Sequence, residues 1–179
     1  MSRYRRSHLP GGTWFFTVVT NNRRALFETP ENVERLREAV RMVSVSRPFV
    51  IDAIVVLPDH IHAVWTLPEG DGDFSTRWRL IKSRFRPVET NHESSPANVR
   101  PNRGRALWQR RFWEHQIRDL EDLRRHVDYV HYNPVRHGLV ECPIEWPYSS
   151  LHRAIRHGMY PTDWGQSEPP EGIDRIDAE

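Results

Sequence analysis

The chain has a single cysteine, Cys142, in 179 residues. One thiol excludes an internal disulfide and fits a reducing compartment. Long apolar runs are absent too: none approaches the roughly 20 residues needed to cross a bilayer. The opening residues, Met1-Ser-Arg-Tyr-Arg-Arg6, lack the apolar stretch of a secretory signal. The expectation is a cytoplasmic protein without a membrane partner. Lysine is nearly missing, since Lys82 is the only one among 26 basic residues. Positive charge is therefore almost all guanidinium, the group suited to bidentate phosphate contacts. No repeat or heptad pattern occurs.

What is present is an uneven charge. The net +2 combines a −5 segment from Asp163 to Glu179 with +7 on the other 162 residues. A basic body favours a polyanionic partner. At this length one domain is expected, taken as residues 1–164, followed by an acidic tail, 165–179. Such a tail can solvate the chain end or fold over the basic surface and restrain it.

In chain order, Arg3, Arg5 and Arg6 form a basic arm with Tyr4. Thr13 to Thr20 is β-branched and aromatic and reads as a first strand. A helix is expected from Pro30, capped by Thr29, with Val33, Leu36, Val40 and Val43 on one face. Phe49–Leu57 is near-continuously apolar, as in a strand covered on both faces. Pro58-Asp59 signals a turn into a third strand, His60 to Leu67, and this hairpin is expected at the sheet centre. Phe74 to Phe85 reads as a helix with Phe74, Trp78, Ile81 and Phe85 on one stripe. Arg77, Arg79 and Lys82 flank that stripe as candidate phosphate contacts. Residues 87–104, rich in Pro, Asn, Ser and Glu, are expected as a flexible loop. A short strand, a turn at Arg110-Arg111 and an edge strand follow. A helix from Asp119 should stop before Pro134, and a short helix should end near Gly158. The order implies an α+β fold: a ferredoxin-like antiparallel sheet with helices packed on one face.

Two stretches carry chemistry. His60 and His62 sit one residue apart on a strand and so share a face. At about 3.3 Å rise per residue their Cα atoms are about 6–7 Å apart, within reach of one divalent ion. On the helix, Leu123, Val127 and Val130 should face the sheet, with Tyr129 and Asn133 an i, i+4 pair on the flank. Tyr132 should look at solvent, which selects Tyr129 as the residue facing a site on the sheet. A phenolate can attack a phosphodiester and keep its bond energy in a phosphotyrosine. A metal on the His pair would assist a phenol of pKa about 10, and Asn133 can add an oxygen ligand. Mixed imidazole and oxygen donors suit Mn²⁺ or Mg²⁺.

With these residues in hand, the chain resembles the Y1 HUH transposases of the IS200/IS605 type, and more closely the REP-associated tyrosine transposases. The matching stretches are Gly11 to Val18, Val56 to His62, Trp65 to Gly70, Phe112 to His115, His126 to Tyr129 and Tyr132 to Gly138. The resemblance implies an HUH endonuclease core, with His60 and His62 on the catalytic ion and Tyr129 as nucleophile. It implies a 5′-phosphotyrosine formed on single-stranded hairpin DNA of REP type, at the nucleoid, by a monomer, with a dimer like that of the insertion-sequence relatives as the alternative. Asn133 stands where insertion-sequence relatives usually carry Gln. Arg3, Arg5, Arg6, Arg77, Arg79, Lys82, Arg110 and Arg111 are the expected DNA contacts, with Tyr4 and Trp78 available for stacking. A non-catalytic palindrome-binding protein would bind hairpins without metal-dependent nicking, and a phosphoester hydrolase would turn over without a covalent intermediate.

Overall fold

A computed structural model describes residues 10–88 and 107–176. The Arg3, Arg5, Arg6 arm and most of the 87–104 stretch lie outside these residues. Four strands, β1 (Thr13–Val19), β2 (Val50–Val56), β3 (His60–Thr66) and β4 (Trp113–Gln116), form one antiparallel sheet in the order β2-β3-β1-β4. With α1 (Pro30–Ser46) after β1 and α2 (Phe74–Arg84) after β3, this is the ferredoxin-like order expected from the sequence. The β2–β3 hairpin is not central, however. The middle pair is β1–β3, and β2 is an outer strand.

An outer strand can be apolar throughout because the chain covers it. Val56 N–H donates to the Tyr148 carbonyl, Ser150 N–H to that of Ile54, and Arg153 Nη2 to that of Ile51. Ile54 N–H in turn donates to Ser150 Oγ. The free backbone groups of β2 are thus met by residues 148–153, which lead into α4 (Leu151–Arg156).

The pleat sorts side chains into two cores. Trp14, Phe16 and Val18 of β1 join Ile61, Ala63 and Trp65 of β3 beneath α1 and α2. The stripe Phe74, Trp78, Ile81 and Phe85 is buried there, so Trp78 is a core residue, its ring stacked on Trp65 at 4.2 Å. On the opposite face Phe15, Val55 and Val64 meet Tyr129 and Val130 of α3 (Leu120–Arg136). Helices therefore lie on both faces of the sheet, not on one. Each apolar set of the strands needs a cover, and α3 supplies the second.

Helix α3 starts at Asp119, whose carboxylate accepts from Asp122 N–H at 2.8 Å. It does not stop before Pro134 but runs on to Arg136. The proline falls in the last turn, where little helix remains to be broken. His137 N–H closes the end on the Asn133 carbonyl, and Gly138 follows with φ of 65°.

The stretch after α4 is packed over its described part. Ile173 and Ile176 are buried in the second core. Tyr160 Oη donates to the Asp128 carboxylate at 2.6 Å. A Cβ at Gly165 would lie 3.2 Å from the Tyr132 ring, and the residue has φ of +74°, so only glycine fits. Tyr132 accordingly is not solvent-facing. It is half-buried beneath this segment, near Trp164. Residues 165–176 thus form part of the cover of α3.

Candidate active site

On the second face of the sheet a histidine pair and a threonine lie among the apolar Phe15, Val55 and Val64. In register, His62 of β3 pairs with Thr17 of β1, and His60 with Val19. His60, His62 and Thr17 are all buried. Each imidazole is held through Nδ1: that of His60 lies 2.5 Å from an Asp59 carboxylate oxygen, that of His62 2.9 Å from Thr17 Oγ1. With Nδ1–H donating, both Nε2 lone pairs are aimed away from these partners. Both Nε2 atoms are buried and have no hydrogen-bond partner among the described residues.

Burial holds the pKa of His60 below its ordinary value despite the Asp59 carboxylate, and holds that of His62 well below. The rings are therefore neutral near pH 7, the state a metal ion requires. The rings lie edge to face, with centroids 4.8 Å apart. Buried donors with no proton acceptor or donor to meet are costly unless something completes them. This donor set fits a divalent cation.

Helix α3 brings the other half of the site. The Tyr129 ring stands 5.2 Å from the His62 ring, edge on, and is 1% exposed. Phe15 touches both, at 5.6 Å from His62 and 5.8 Å from Tyr129. One turn on, Asn133 is fully buried, and neither its Oδ1 nor its Nδ2 has a partner among the described residues. A second turn on, His137 reaches the His60 ring at 5.0 Å. Ligand atoms of His60, His62 and His137 all lie within 4.8 Å of one another. The Arg136 guanidinium lies 5.3 Å from the Tyr129 ring centroid.

Thr17, Arg136 and His137 were given no role from the sequence, and Asp59 only that of a turn residue. Signals for them exist. Asp59 precedes His60 directly, Thr17 is a polar residue between Phe15 and Val19 on one face of β1, and Tyr129, Asn133 and His137 follow i, i+4, i+8 spacing.

The expected DNA-contacting residues separate. Arg77 is 1% exposed, and its guanidinium donates to the carbonyls of Arg47, Asp73 and Pro48 and to the Asp71 carboxylate. It ties α2 to the end of α1. Lys82 lies over the rings of Trp108 and Phe112, at 5.7 and 5.4 Å, and donates to the Gln109 carbonyl. Arg79 is exposed on α2, on the face of the sheet away from Tyr129. Arg110 and Arg111 are exposed on the turn that enters β4.

A tyrosine on a helix, docked against a strand-borne His-hydrophobic-His pair on a ferredoxin-like sheet, defines the class of single-tyrosine transposases. No protein-family model matches the chain. A REP-associated tyrosine transposase of Escherichia coli K12 is 49% identical over 164 residues, covering 92% of this chain and 91% of that protein. A Haemophilus influenzae protein given the same family name is 43% identical over 166 residues, covering 92% and 94%. A solved structure of such a transposase bound to a REP hairpin has a TM-score of 0.80 and 45% identity, over 99% of this chain and 96% of that one. The chain belongs to the REP-associated tyrosine transposases. Among the described residues no helix is long and apolar enough to cross a membrane.

Proposed function

We propose that the protein cleaves and rejoins single-stranded DNA beside a REP-like hairpin, with Tyr129 as nucleophile. The observation that supports this is the meeting of Tyr129 with His62, ring centroids 5.2 Å apart, beside two buried imidazole nitrogens without partners. The solved relative in complex with a REP hairpin supports the same substrate.

In the reaction, Tyr129 Oη attacks the scissile phosphorus. The P–Oη bond forms as the P–O3′ bond breaks, the phenol loses its proton, and the leaving 3′-oxygen gains one. The products are a 5′-phosphotyrosine and a free 3′-hydroxyl, and an incoming 3′-hydroxyl reverses the same steps. A divalent ion held by His60 and His62 supplies Lewis-acid stabilisation of charge on the phosphate. Asp59 and Thr17 fix the two rings so that Nε2 stays available. Asn133 and His137 are the candidates to complete the ligand set from the helix that carries the nucleophile. Imidazole with oxygen donors favours Mn²⁺ over the harder Mg²⁺.

Arg110 and Arg111 are the best placed of the described basic candidates for phosphate contact, and Arg79 and Lys82 suit a strand led around the sheet; Arg3, Arg5 and Arg6, outside the described residues, are candidates on charge alone. Arg77 serves α2 instead. Nucleophile and His pair come from one chain, which supports a monomer, and a DNA substrate supports a nucleoid location. Residues 1–164 carry every group this reaction uses.

The test is a denaturing gel of labelled hairpin DNA incubated with wild type, Tyr129→Phe and His62→Ala, with and without Mn²⁺. The expected result is a slow, protease-sensitive adduct formed only by wild type with metal. Tight, salt-dependent hairpin binding with no adduct under any metal would replace this reading by the palindrome-binding one.

A further inference from the structure

The site face of β4 holds a feature that the cleavage reaction does not use. Trp113 pairs in register with Thr17, and Thr17 with His62. The three residues therefore stand in one row across the sheet, on one face. At about 4.8 Å between neighbouring strands, Trp113 lies about 10 Å from His62, towards the outer edge.

Trp113 is one of the few large apolar residues left exposed, at 40%. It is nevertheless held in place. Its ring is near-parallel to that of His115, at 10° and 5.9 Å, and His115 in turn stacks on His126 at 12° and 4.6 Å. Phe15 meets it edge on at 5.6 Å. The stair is anchored by charge: His115 Nε2 lies 2.9 Å from the Asp122 carboxylate, which also accepts from Arg118 N–H and Nε.

A tryptophan pinned on two sides but open to solvent pays little entropy to accept a further ring. Exposed arginines flank its strand, Arg110 and Arg111 before β4 and Arg118 after it. Aromatic rings set among guanidinium groups are how unpaired bases and their phosphates are gripped. We propose that Trp113 is a stacking platform for one unpaired base of the single-stranded DNA flanking the hairpin, close to the scissile phosphate. His115, His126 and Asp122 act as positioning residues that hold the indole ready. The proposal rests on the single-stranded DNA reading of the site, and it adds a specific contact at the outer edge of the face on which α3 lies.

The test measures binding rather than cleavage, in EDTA, so that it reads independently of any adduct. Two hairpins are compared, one blunt and one with a single-stranded extension carrying 2-aminopurine at successive positions. Wild type should quench the fluorescence at one position of the extension. Trp113→Ala should abolish that quenching and weaken binding of the extended hairpin about tenfold, since one base–aromatic stack is worth roughly that much. Binding of the blunt hairpin should not change, and Trp113→Phe should restore most of the loss. Equal binding of both hairpins by Trp113→Ala and wild type would overturn the proposal. So would an equal loss on both. Failure of the cleavage reading would instead show as absence of the wild-type adduct with metal, whatever the binding result.

Discussion

Asn133 offers the sharpest separation of stability from function. Its side chain is fully buried, and both amide atoms lack partners. An unsatisfied buried polar group costs on the order of 1–3 kcal/mol. Leucine has the same branched skeleton, makes no such demand, and is the better helix former by a few tenths of a kcal/mol. Asn133→Leu should therefore stabilise the metal-free protein by about 1–3 kcal/mol. For a chain of this size each kcal/mol moves the melting midpoint by about 2–4 °C. Calorimetry in EDTA should show the variant melting higher than wild type. With Mn²⁺ at a hundred times its Kd, a bound ion would add about 2.7 kcal/mol to wild type. The variant, missing one ligand, should gain much less, and its adduct yield should fall with the lost metal affinity. A variant less stable than wild type in EDTA would refute the reasoning about the orphaned amide. An unchanged metal response would remove Asn133 from the ligand set.

Three further perturbations test neighbouring parts of the argument. His137→Ala should weaken Mn²⁺ binding about 10–100-fold, the range seen when groups that complete a metal site are lost; isothermal titration with unchanged affinity would make His137 a bystander. Arg77→Met removes a buried guanidinium that holds three carbonyls and Asp71, and should cost about 2–4 kcal/mol in urea unfolding. A loss of DNA affinity at unaltered stability would instead return Arg77 to the phosphate-contacting set. Burial pushes the Asp122 carboxyl up, but hydrogen bonds from His115 and Arg118 outweigh it and hold the group well below the carboxylate range. Its stabilisation is present above the unfolded value, near pH 4, and is lost as pH falls below it. The stability gap between wild type and Asp122→Asn should be widest at pH 7, start to narrow below about pH 4 and keep narrowing with further acidification; a gap independent of pH would contradict this.

The site was legible where local periodicity carries it. Period-two spacing set His60 and His62 on one face, and helical spacing chose Tyr129 over Tyr132. The stripe Phe74, Trp78, Ile81 and Phe85 is buried as its spacing implies. What local pattern does not carry is which surface each element meets. The apolar run of β2 suggested a central strand, because the cover from residues 148–153 comes from nearly a hundred residues away. A second helical layer was not visible for the same reason: alternation along a strand says that both faces are occupied, not by what. Arg77 looked like a surface cation because its partners, the carbonyls at the end of α1, belong to another element. Pro134 was read as a helix stop, but near the C-terminus of a helix the rule loses its force. His137 was missed because a residue just past a proline was taken to lie outside the helix.

The seam between residues 148–150 and β2 bears on how crowded copies of the protein behave. An open strand edge is a template on which foreign chains extend a sheet, the first step of most aggregation. Here one rim is sealed by the protein's own backbone, and the other, β4, is only four residues long. Many copies gathered on neighbouring palindromes would present each other with no long bare strand among the described residues, so high local density on DNA need not become precipitation.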